Sequence, residues 1–497
     1  MRMNDKNKKD ATLVEIGDAL FRELGFYAAS NSIKPLYVAN GLFREVTGTI
    51  CEIEDIYDWV RGENSKKSIS SKDLLEKYTD IIMCYQNEDD SVDELKEIRY
   101  YLEKLFNPDS NIQAGAAFSV PNISSIWQVT SSVPAEQGIG GFLFKILNTE
   151  IEGKKSKAID VIERSLKDDD DDITRTIKPI IVSKSEKERK VTRDLSTEVV
   201  DYTIALDTIR RGFDCLAENC SLKPKATKAE SLLTLRRTVN YAMFSIFYYL
   251  SDINHSKYSG QRVPLLLDAG TGTGAIINAS SRSFTECKKA MEKYTVNFVR
   301  EWLIQAKIIS DINEKNACES YLKNDINVTD EVRAILEKHF ENNSLAGDPP
   351  ILATAKAIQF AMYTKTYSDT TPSEFCNVIG VKAGLVGPSG NTNYRRLLIN
   401  RFLLETIVLS CVSKDKLEAG IELRELGDIL RDNYNIVIGT DTDADYAFLD
   451  ELEIARNTPE DLRGSLALNA KEIAEMLISL GLGKKYADGV TIIGRGL

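Results

Sequence analysis

The sequence predicts a mainly α-helical chain with minor β structure (α+β) that is divided into several domains. Apolar residues recur at spacings of three and four over most of the chain, while alternating runs are short and few. A length of 497 residues exceeds what one hydrophobic core usually holds. The composition, 43% hydrophobic and 28% charged, is typical of a soluble globular protein.

Changes of pattern divide the chain into four predicted domains. Residues 1–110 form an N-terminal helical domain. Residues 111–195 form a mixed region, in which small, β-branched and glycine residues indicate either short strands and turns or an irregular connection. A run of five aspartates follows there, interpreted as a solvated loop, with a metal or basic-partner site as the alternative. Residues 196–390 form a central, mainly helical domain with a glycine-rich turn, and residues 391–497 form a C-terminal module.

The glycine-rich turn lies in LLLDAGTGTGAIIN, residues 265–278, where an apolar strand precedes glycines and a helix. Three interpretations stay open at this point. The glycines form a purely structural turn, or the turn presents backbone N–H groups to a phosphate, or it binds a methyl donor.

The third interpretation depends on a local resemblance. LLLDAGTGTG is similar to motif I of the class I S-adenosylmethionine-dependent methyltransferases, an acidic residue after a buried strand followed by spaced glycines. The resemblance implies that Asp268, Gly270, Gly272 and Gly274 line a cofactor pocket. GDPPI at residues 347–351 stands where amino-group methyltransferases carry a DPPY-type motif, with isoleucine in place of the aromatic residue.

The C-terminal module combines helices with a terminal hairpin. YRRLLINRFLLETIVLSC predicts one helix, IELRELGDILRDNY a second, NIVIG a short strand and LALNAKEIAEMLISLGL a last long helix. KKYADGVTIIG predicts two strands around a two-residue turn at Asp488-Gly489. This order resembles a winged-helix domain, which commonly binds DNA through its last helix and wing. Because the last helix offers Lys471 beside Glu472 and Glu475, DNA contact and protein contact both stay open.

Basic side chains are the candidates for any nucleic-acid contact. The net charge of −12 excludes a surface that is basic throughout, so such a site must be a local patch. GPSGNTN at residues 387–393 lacks the lysine of a phosphate-binding loop, which leaves the arginines after it as phosphate ligands. The predicted contacts are Arg236, Arg237, Arg282, Arg395, Arg396, Arg401, Lys484 and Lys485.

Other classes of site and compartment are disfavoured. His255 and His339 are the only histidines, and the eight cysteines lack zinc-ligand spacing, so we expect no metal and no imidazole-based catalysis. DTDADYAFLDE at residues 441–451 lacks the key residues of a calcium loop and predicts a helix capped by Thr442 or Asp443. Without a membrane-length apolar run or a secretory signal, we expect a cytoplasmic protein with no membrane partner.

The sequence therefore predicts a non-catalytic, DNA-associated or scaffold subunit of a larger bacterial nucleoprotein assembly, with no cofactor. Its expected partners are other protein subunits and double-stranded DNA. Large, acidic chains with few motifs fit accessory subunits of bacterial phage-defence or DNA-processing systems. By this association, such a system is the expected setting. The alternative is a diverged S-adenosylmethionine-dependent methyltransferase that uses the DAGTGTG loop.

Overall fold

The structure, a computed structural model, describes most of the chain in thirteen segments. These are residues 11–29, 31–48, 69–79, 88–106, 137–166, 203–220, 228–306, 314–325, 327–367, 370–388, 394–458, 461–487 and 489–496. Within them the chain is mostly helical with a few short strands, which confirms the predicted mainly α class. No helix in these segments combines the length and the apolar character that crossing a membrane requires.

The described helices and strands have the following bounds. The helices are α1 (Ala11–Leu24), α2 (Pro35–Thr47), α3 (Ser71–Lys77), α4 (Glu88–Phe106), α5 (Ile139–Asn148), α6 (Lys157–Leu166), α7 (Ile204–Asn219), α8 (Lys228–Tyr258), α9 (Gly274–Gln305), α10 (Glu314–Ser320), α11 (Asp330–Leu345), α12 (Pro350–Ala361), α13 (Pro372–Ala383), α14 (Arg401–Cys411), α15 (Lys414–Ala419), α16 (Leu423–Tyr434), α17 (Thr442–Asp450) and α18 (Leu462–Ser479). The strands are β1 (Leu265–Leu266), β2 (Ile421–Glu422), β3 (Ile436–Val437), β4 (Gly483–Lys485) and β5 (Thr491–Ile493).

Contacts within the chain divide it into two compact units. The first contains Met1–Ile33, Asp201–Asn219 and Asn240–Leu497, and the second contains Lys34–Val200 and Cys220–Val239. The four predicted domains, which rest on changes of sequence pattern, stay a prediction. Residues on both sides of the predicted boundary near 390 belong to the first unit, because strand-like segments from both sides pair with each other.

In the second unit, α2 packs against α5 and α6. The segment IGGFLFKILN, which belongs to the region predicted as strands or irregular connection, is the helix α5. Its apolar residues, among them Ile139, Leu143 and Ile146, are fully buried, so burial of this face stabilises a helix in spite of the glycines. The predicted connection over residues 111–136 and the five-aspartate run lie outside the described residues.

In the first unit, the long helix α9 is the central element, with α12 and α13 packed along it and α11 packed on α12. At its start it contacts a small parallel arrangement of strands. β1 pairs with β3 in parallel, Leu265 with Ile436 and Leu266 with Val437. On its other side, Asp268 forms a parallel bridge with Leu398, so residues 265–268 lie between two partners.

The predicted helix YRRLLINRFLLETIVLSC is wrong in its first part. Residues 396–399 are extended, because Leu397 C=O accepts the Asp268 N–H at 2.7 Å and the Ile399 N–H donates to the Asp268 C=O at 3.3 Å. The helix α14 begins only at Arg401, where the Asn400 side chain accepts the Leu403 N–H at 2.8 Å. A short apolar run therefore forms a strand-like segment before the helix.

The second sheet is antiparallel and has the order β2-β5-β4. The hairpin between β4 and β5 differs from the predicted two-residue turn. The Tyr486 N–H donates to the Val490 C=O at 2.9 Å, which leaves a connection of three residues, with Gly489 at φ +89°. Asp488, the other residue of the predicted turn, lies outside the described residues.

Helix starts follow local capping rules with one correction. Pro350 is the first residue of α12, a position that proline favours. The cap of α17 is Asp441 instead of the predicted Thr442 or Asp443, since its carboxylate accepts the Ala444 N–H at 3.1 Å. The aspartate one position earlier reaches the third backbone N–H of the helix, which is the geometry of a cap.

Candidate functional site

The candidate site lies at the carboxyl edge of the parallel segments. Three chain segments, residues 265–268, 396–399 and 436–438, run in one direction and end at one edge. Each is followed by the start of a helix, α9, α14 or α17. In parallel sheets, ligands bind in the crevice outside the carboxyl ends of the strands. This edge is therefore the candidate site of the first unit.

Asp268, the acidic residue of the glycine segment, is a structural anchor. It is fully buried, and its Oδ1 accepts the Gly270 N–H at 2.6 Å. Its Oδ2 accepts a charge-assisted hydrogen bond from Arg396 Nε at 2.5 Å. Both carboxylate oxygens are thus bonded to protein groups, which fixes the turn and ties it to the neighbouring segment.

Asn469 of α18 holds the same edge from the other side and was missed by the sequence analysis. It is fully buried, and its Nδ2 donates to the Leu267 C=O at 2.8 Å and to the Ile438 C=O at 3.1 Å. Its Oδ1 accepts the Ala269 N–H at 2.9 Å. The available signal is an asparagine within the apolar stripe of LALNAKEIAEML, because a buried amide needs hydrogen-bond partners.

Two glycines of the turn adopt a backbone that other residues rarely adopt. Gly270 has φ +85° and Gly272 has φ +75°. No heavy atom lies within 4 Å of a Cβ built at Gly272, so the turn is open to solvent there. The Thr273 side chain does not cap α9, and Thr273 Oγ1 instead lies 3.1 Å from Thr271 Oγ1. The first N–H groups of this long helix therefore have no side-chain cap from Thr273.

Gly439, which follows β3, lies close to the backbone of α18 at this edge. It has φ +97°, and a Cβ built there would lie 2.0 Å from the Leu466 carbonyl oxygen of α18. Its N–H donates to Asp445 Oδ2 at 3.0 Å, and Asp445 in turn pairs with Arg431 at 2.7 Å. Only glycine permits α18 to pack this close to the strand end.

The two pieces of the methyltransferase resemblance lie far apart. Asp348, which precedes α12, forms an ion pair with Lys356 of that helix at 2.6 Å. Further along α12, Gln359 Nε2 donates to the Glu292 C=O at 3.1 Å. Glu292 lies five turns into α9, about 27 Å from the glycine turn. Between the two pieces, the described residues form helices after β1 instead of the alternating strands and helices of that fold.

The predicted basic contacts are distributed over several places. Arg396 is held by Asp268, and only 13% of its side chain is exposed. Arg395 lines a polar cleft of about 330 Å³ together with Ser281 and Lys288. Arg282 and Arg401 are exposed near the starts of α9 and α14. Four predicted arginines thus lie in or next to the segments and helices that form the carboxyl edge. Of these, Arg396 is bonded to a carboxylate of the protein itself.

The remaining predicted contacts lie on other elements. Arg236 and Arg237 belong to the second unit, where Arg237 Nη1 lies 3.9 Å from Cys220 Sγ. Lys484 and Lys485 are exposed on β4 of the first unit. Lys484 Nζ lies 5.4 Å from the centre of the Tyr486 ring, within the range of a cation–π contact. These lysines form the basic surface of the terminal hairpin.

The described residues bring no three histidine, cysteine, aspartate or glutamate side chains together as a metal site would need. His255 Nδ1 lies 2.6 Å from the Gly260 carbonyl oxygen, and the His339 ring stacks on Phe360. Comparison with known proteins finds no matching family model, no matching curated protein and no matching solved structure.

Proposed function

We propose that this chain is a non-catalytic, DNA-associated subunit of a larger assembly, and that its terminal hairpin contacts the DNA backbone. The observation that supports this proposal is the strand order β2-β5-β4. The first short strand of this sheet, β2, pairs with the last one, β5, and the helices α16, α17 and α18 lie between β2 and the hairpin. With β3 and α17 treated as an insertion, this order resembles that of a winged-helix domain, and we propose that the hairpin is its wing.

The module departs from a simple winged helix by one insertion. β3 and α17 lie between α16 and α18, and β3 pairs with β1 of the glycine segment. Asn469 of α18 also bonds to the backbone on both sides of that pairing. The module is therefore built into the first unit, and its binding is best measured on the whole chain.

The hairpin and the last helix have different surfaces, which suggests different partners. Neither Lys484 nor Lys485 forms an ion pair within the described residues, and Tyr486 beside them is 43% exposed. Positive charge with an aromatic ring suits phosphate and sugar contact without base readout. The exposed face of α18 instead carries Glu472 and a leucine, Leu468, that is 52% exposed. We assign DNA contact to the hairpin and protein contact to this helix face.

The test is a fluorescence anisotropy titration of labelled double-stranded DNA with the full chain at several salt concentrations. The double variant Lys484→Ala/Lys485→Ala should bind more weakly, with a salt slope shallower by about 1.8, because each lost phosphate contact removes roughly 0.9 from it. The matched control is Lys154→Ala/Lys155→Ala, an exposed lysine pair of the second unit with the same charge change. Equal behaviour of the two double variants, or no salt-sensitive DNA binding, would overturn the proposal.

Methyl transfer is the second proposal, and the strand, glycine turn and helix of residues 265–274 are what supports it. The geometry favours DNA association over it, because the Asp268 carboxylate is bonded within the protein and α12, which begins in GDPPI, contacts α9 through Gln359 about five helical turns from the glycine turn. Calorimetric titration with S-adenosylmethionine tests it directly. A saturable heat of binding would reverse the order of the two proposals.

A further inference from the structure

A second cleft lies between α9, α11 and α12, further along α9 from the glycine turn. We call it the α12 cleft. Its volume is about 680 Å³, and it is lined by residues of these three helices, by the π-helical turn Met362–Thr366 that follows α12, and by the start of α13. Pockets of roughly 300 to 1,000 Å³ hold small molecules and cofactors. Neither the glycine segment nor the terminal hairpin contributes to it.

One wall of the α12 cleft is aromatic and apolar. The His339 ring stacks on Phe360 with the ring centres 3.7 Å apart and an angle of 24° between the planes. Phe360 is nevertheless 44% exposed, which is unusual for a large apolar ring that already has a stacking partner. Burial, and then Lys338, lower the pKa of His339, so its ring is neutral near pH 7. Val296 and Leu352 extend this wall.

The rim of the α12 cleft is positively charged. Lys289, Lys293 and Lys356 line it, against Glu292 as the carboxylate in the lining. Lys289 pairs with Glu286 at 2.7 Å, and Lys356 is already paired with Asp348. Lys293 forms no ion pair within the part of the chain that the structure describes. An ammonium group without a carboxylate, beside two others, attracts an anion.

Tyr363 provides a third, independent observation. It lines the cleft, is only 4% exposed, and its hydroxyl is buried without a hydrogen-bond partner among the described residues. A buried hydroxyl left without a partner costs about 1–3 kcal/mol. Burial raises the pKa of Tyr363 well above its ordinary value, so the hydroxyl keeps its proton and can donate. A ligand group that accepts this proton would remove the cost.

We propose that the α12 cleft binds a mononucleotide. The base lies against the exposed Phe360 ring, since bases stack on aromatic side chains. The phosphate lies beside Lys293, and a polar group of the base or sugar accepts a hydrogen bond from the Tyr363 hydroxyl. This site is separate from the DNA-binding surface proposed above, and its occupancy does not depend on that proposal.

The first test is a calorimetric titration of the full chain with AMP, GMP, CMP and UMP, and with adenosine and ribose 5-phosphate as fragments. We expect saturable binding of at least one mononucleotide, and binding of each fragment that is weaker by tenfold or more. Absence of saturable binding for all four mononucleotides would overturn the proposal.

Three variants assign the contacts. Lys293→Met should weaken nucleotide binding several-fold and leave adenosine unchanged, whereas Lys288→Met, on the same helix but outside the cleft, should change neither. Phe360→Ala should weaken both ligands by about tenfold, the effect of losing one stacked base. Equal effects of Lys293→Met and Lys288→Met would refute the phosphate position.

Tyr363→Phe separates a ligand contact from a structural role. It should weaken the nucleotide about three- to tenfold, the value of one hydrogen bond. The melting temperature of the unliganded variant should stay unchanged or rise, because the removed hydroxyl has no partner within the described residues. A lower melting temperature with unchanged nucleotide affinity would contradict the assignment.

Discussion

The Asp268→Asn substitution tests whether the glycine segment is anchored from within the protein. Asparagine keeps an oxygen for the Gly270 N–H but places an NH₂ group against Arg396 Nε, where the carboxylate now accepts at 2.5 Å. Asp268 is fully buried and the Arg396 side chain is 13% exposed. Removing one partner of a buried ion pair costs about 3–5 kcal/mol. Because the turn bond survives, we expect the lower end, about 3 kcal/mol of unfolding free energy.

The assay is urea unfolding followed by circular dichroism, with hydrogen exchange over residues 265–274 as the local readout. Arg396→Gln and the double variant complete a cycle, and the double variant should lose about 2 kcal/mol less than the sum of the two single losses. Asp441→Asn is the matched control. It removes an exposed ion pair with Arg424 at 2.6 Å and keeps the helix cap, so its loss should be much smaller than that of Asp268→Asn.

The outcome that would refute this reasoning is a loss for Asp268→Asn no larger than that of the control. The Asp268 carboxylate would then not be held by Arg396 in solution and would be accessible to a ligand. In that case the methyl-donor interpretation of the turn would gain weight. A large loss with no coupling to Arg396 would instead locate the effect in the turn alone.

Three further substitutions and one chemical modification test the same unit. Asn469→Asp should cost about 3 kcal/mol or more in urea unfolding, because a carboxylate oxygen would face two backbone carbonyls that now accept hydrogen bonds. Gly272→Ala should cost about 1 kcal/mol, the strain of a left-handed backbone, whereas Gly439→Ala should cost at least twice as much because its Cβ meets a carbonyl oxygen at 2.0 Å. Equal losses at the two glycines would contradict the close packing. Burial raises the pKa of the Cys287 thiol well above its ordinary value and that of Cys376 to about 12, so both should resist iodoacetamide at pH 8 until the protein is denatured, as mass spectrometry of the labelled peptides would report.

Some features of the site could be predicted from the sequence because they are local. The apolar run before Asp268 indicated a strand, and β1 covers Leu265–Leu266. The glycines indicated a turn, and Gly270 and Gly272 adopt a positive φ there. Each of these depends on the conformational preferences of residues within a few positions of one another.

Other features could not be predicted, because their causes lie far away in the chain. Residues 397–399 carry apolar side chains that suit a helix or a strand, and pairing with Asp268, more than 120 positions earlier, selects the extended form. The same pairing brings Arg396 to a buried carboxylate, where the sequence alone suggested a nucleic-acid contact. A side chain's charge is a local property, but its partner is not.

The sequence by itself determined the mainly helical class and the strand and glycine turn before α9. The tertiary structure alone decided that three remote segments share one carboxyl edge, that Asn469 bridges two of them, and that GDPPI lies far along α9 from the turn. The physical reason is that side-chain periodicity acts over a few residues, whereas strand pairing and buried hydrogen bonds depend on which distant groups the packed core brings together.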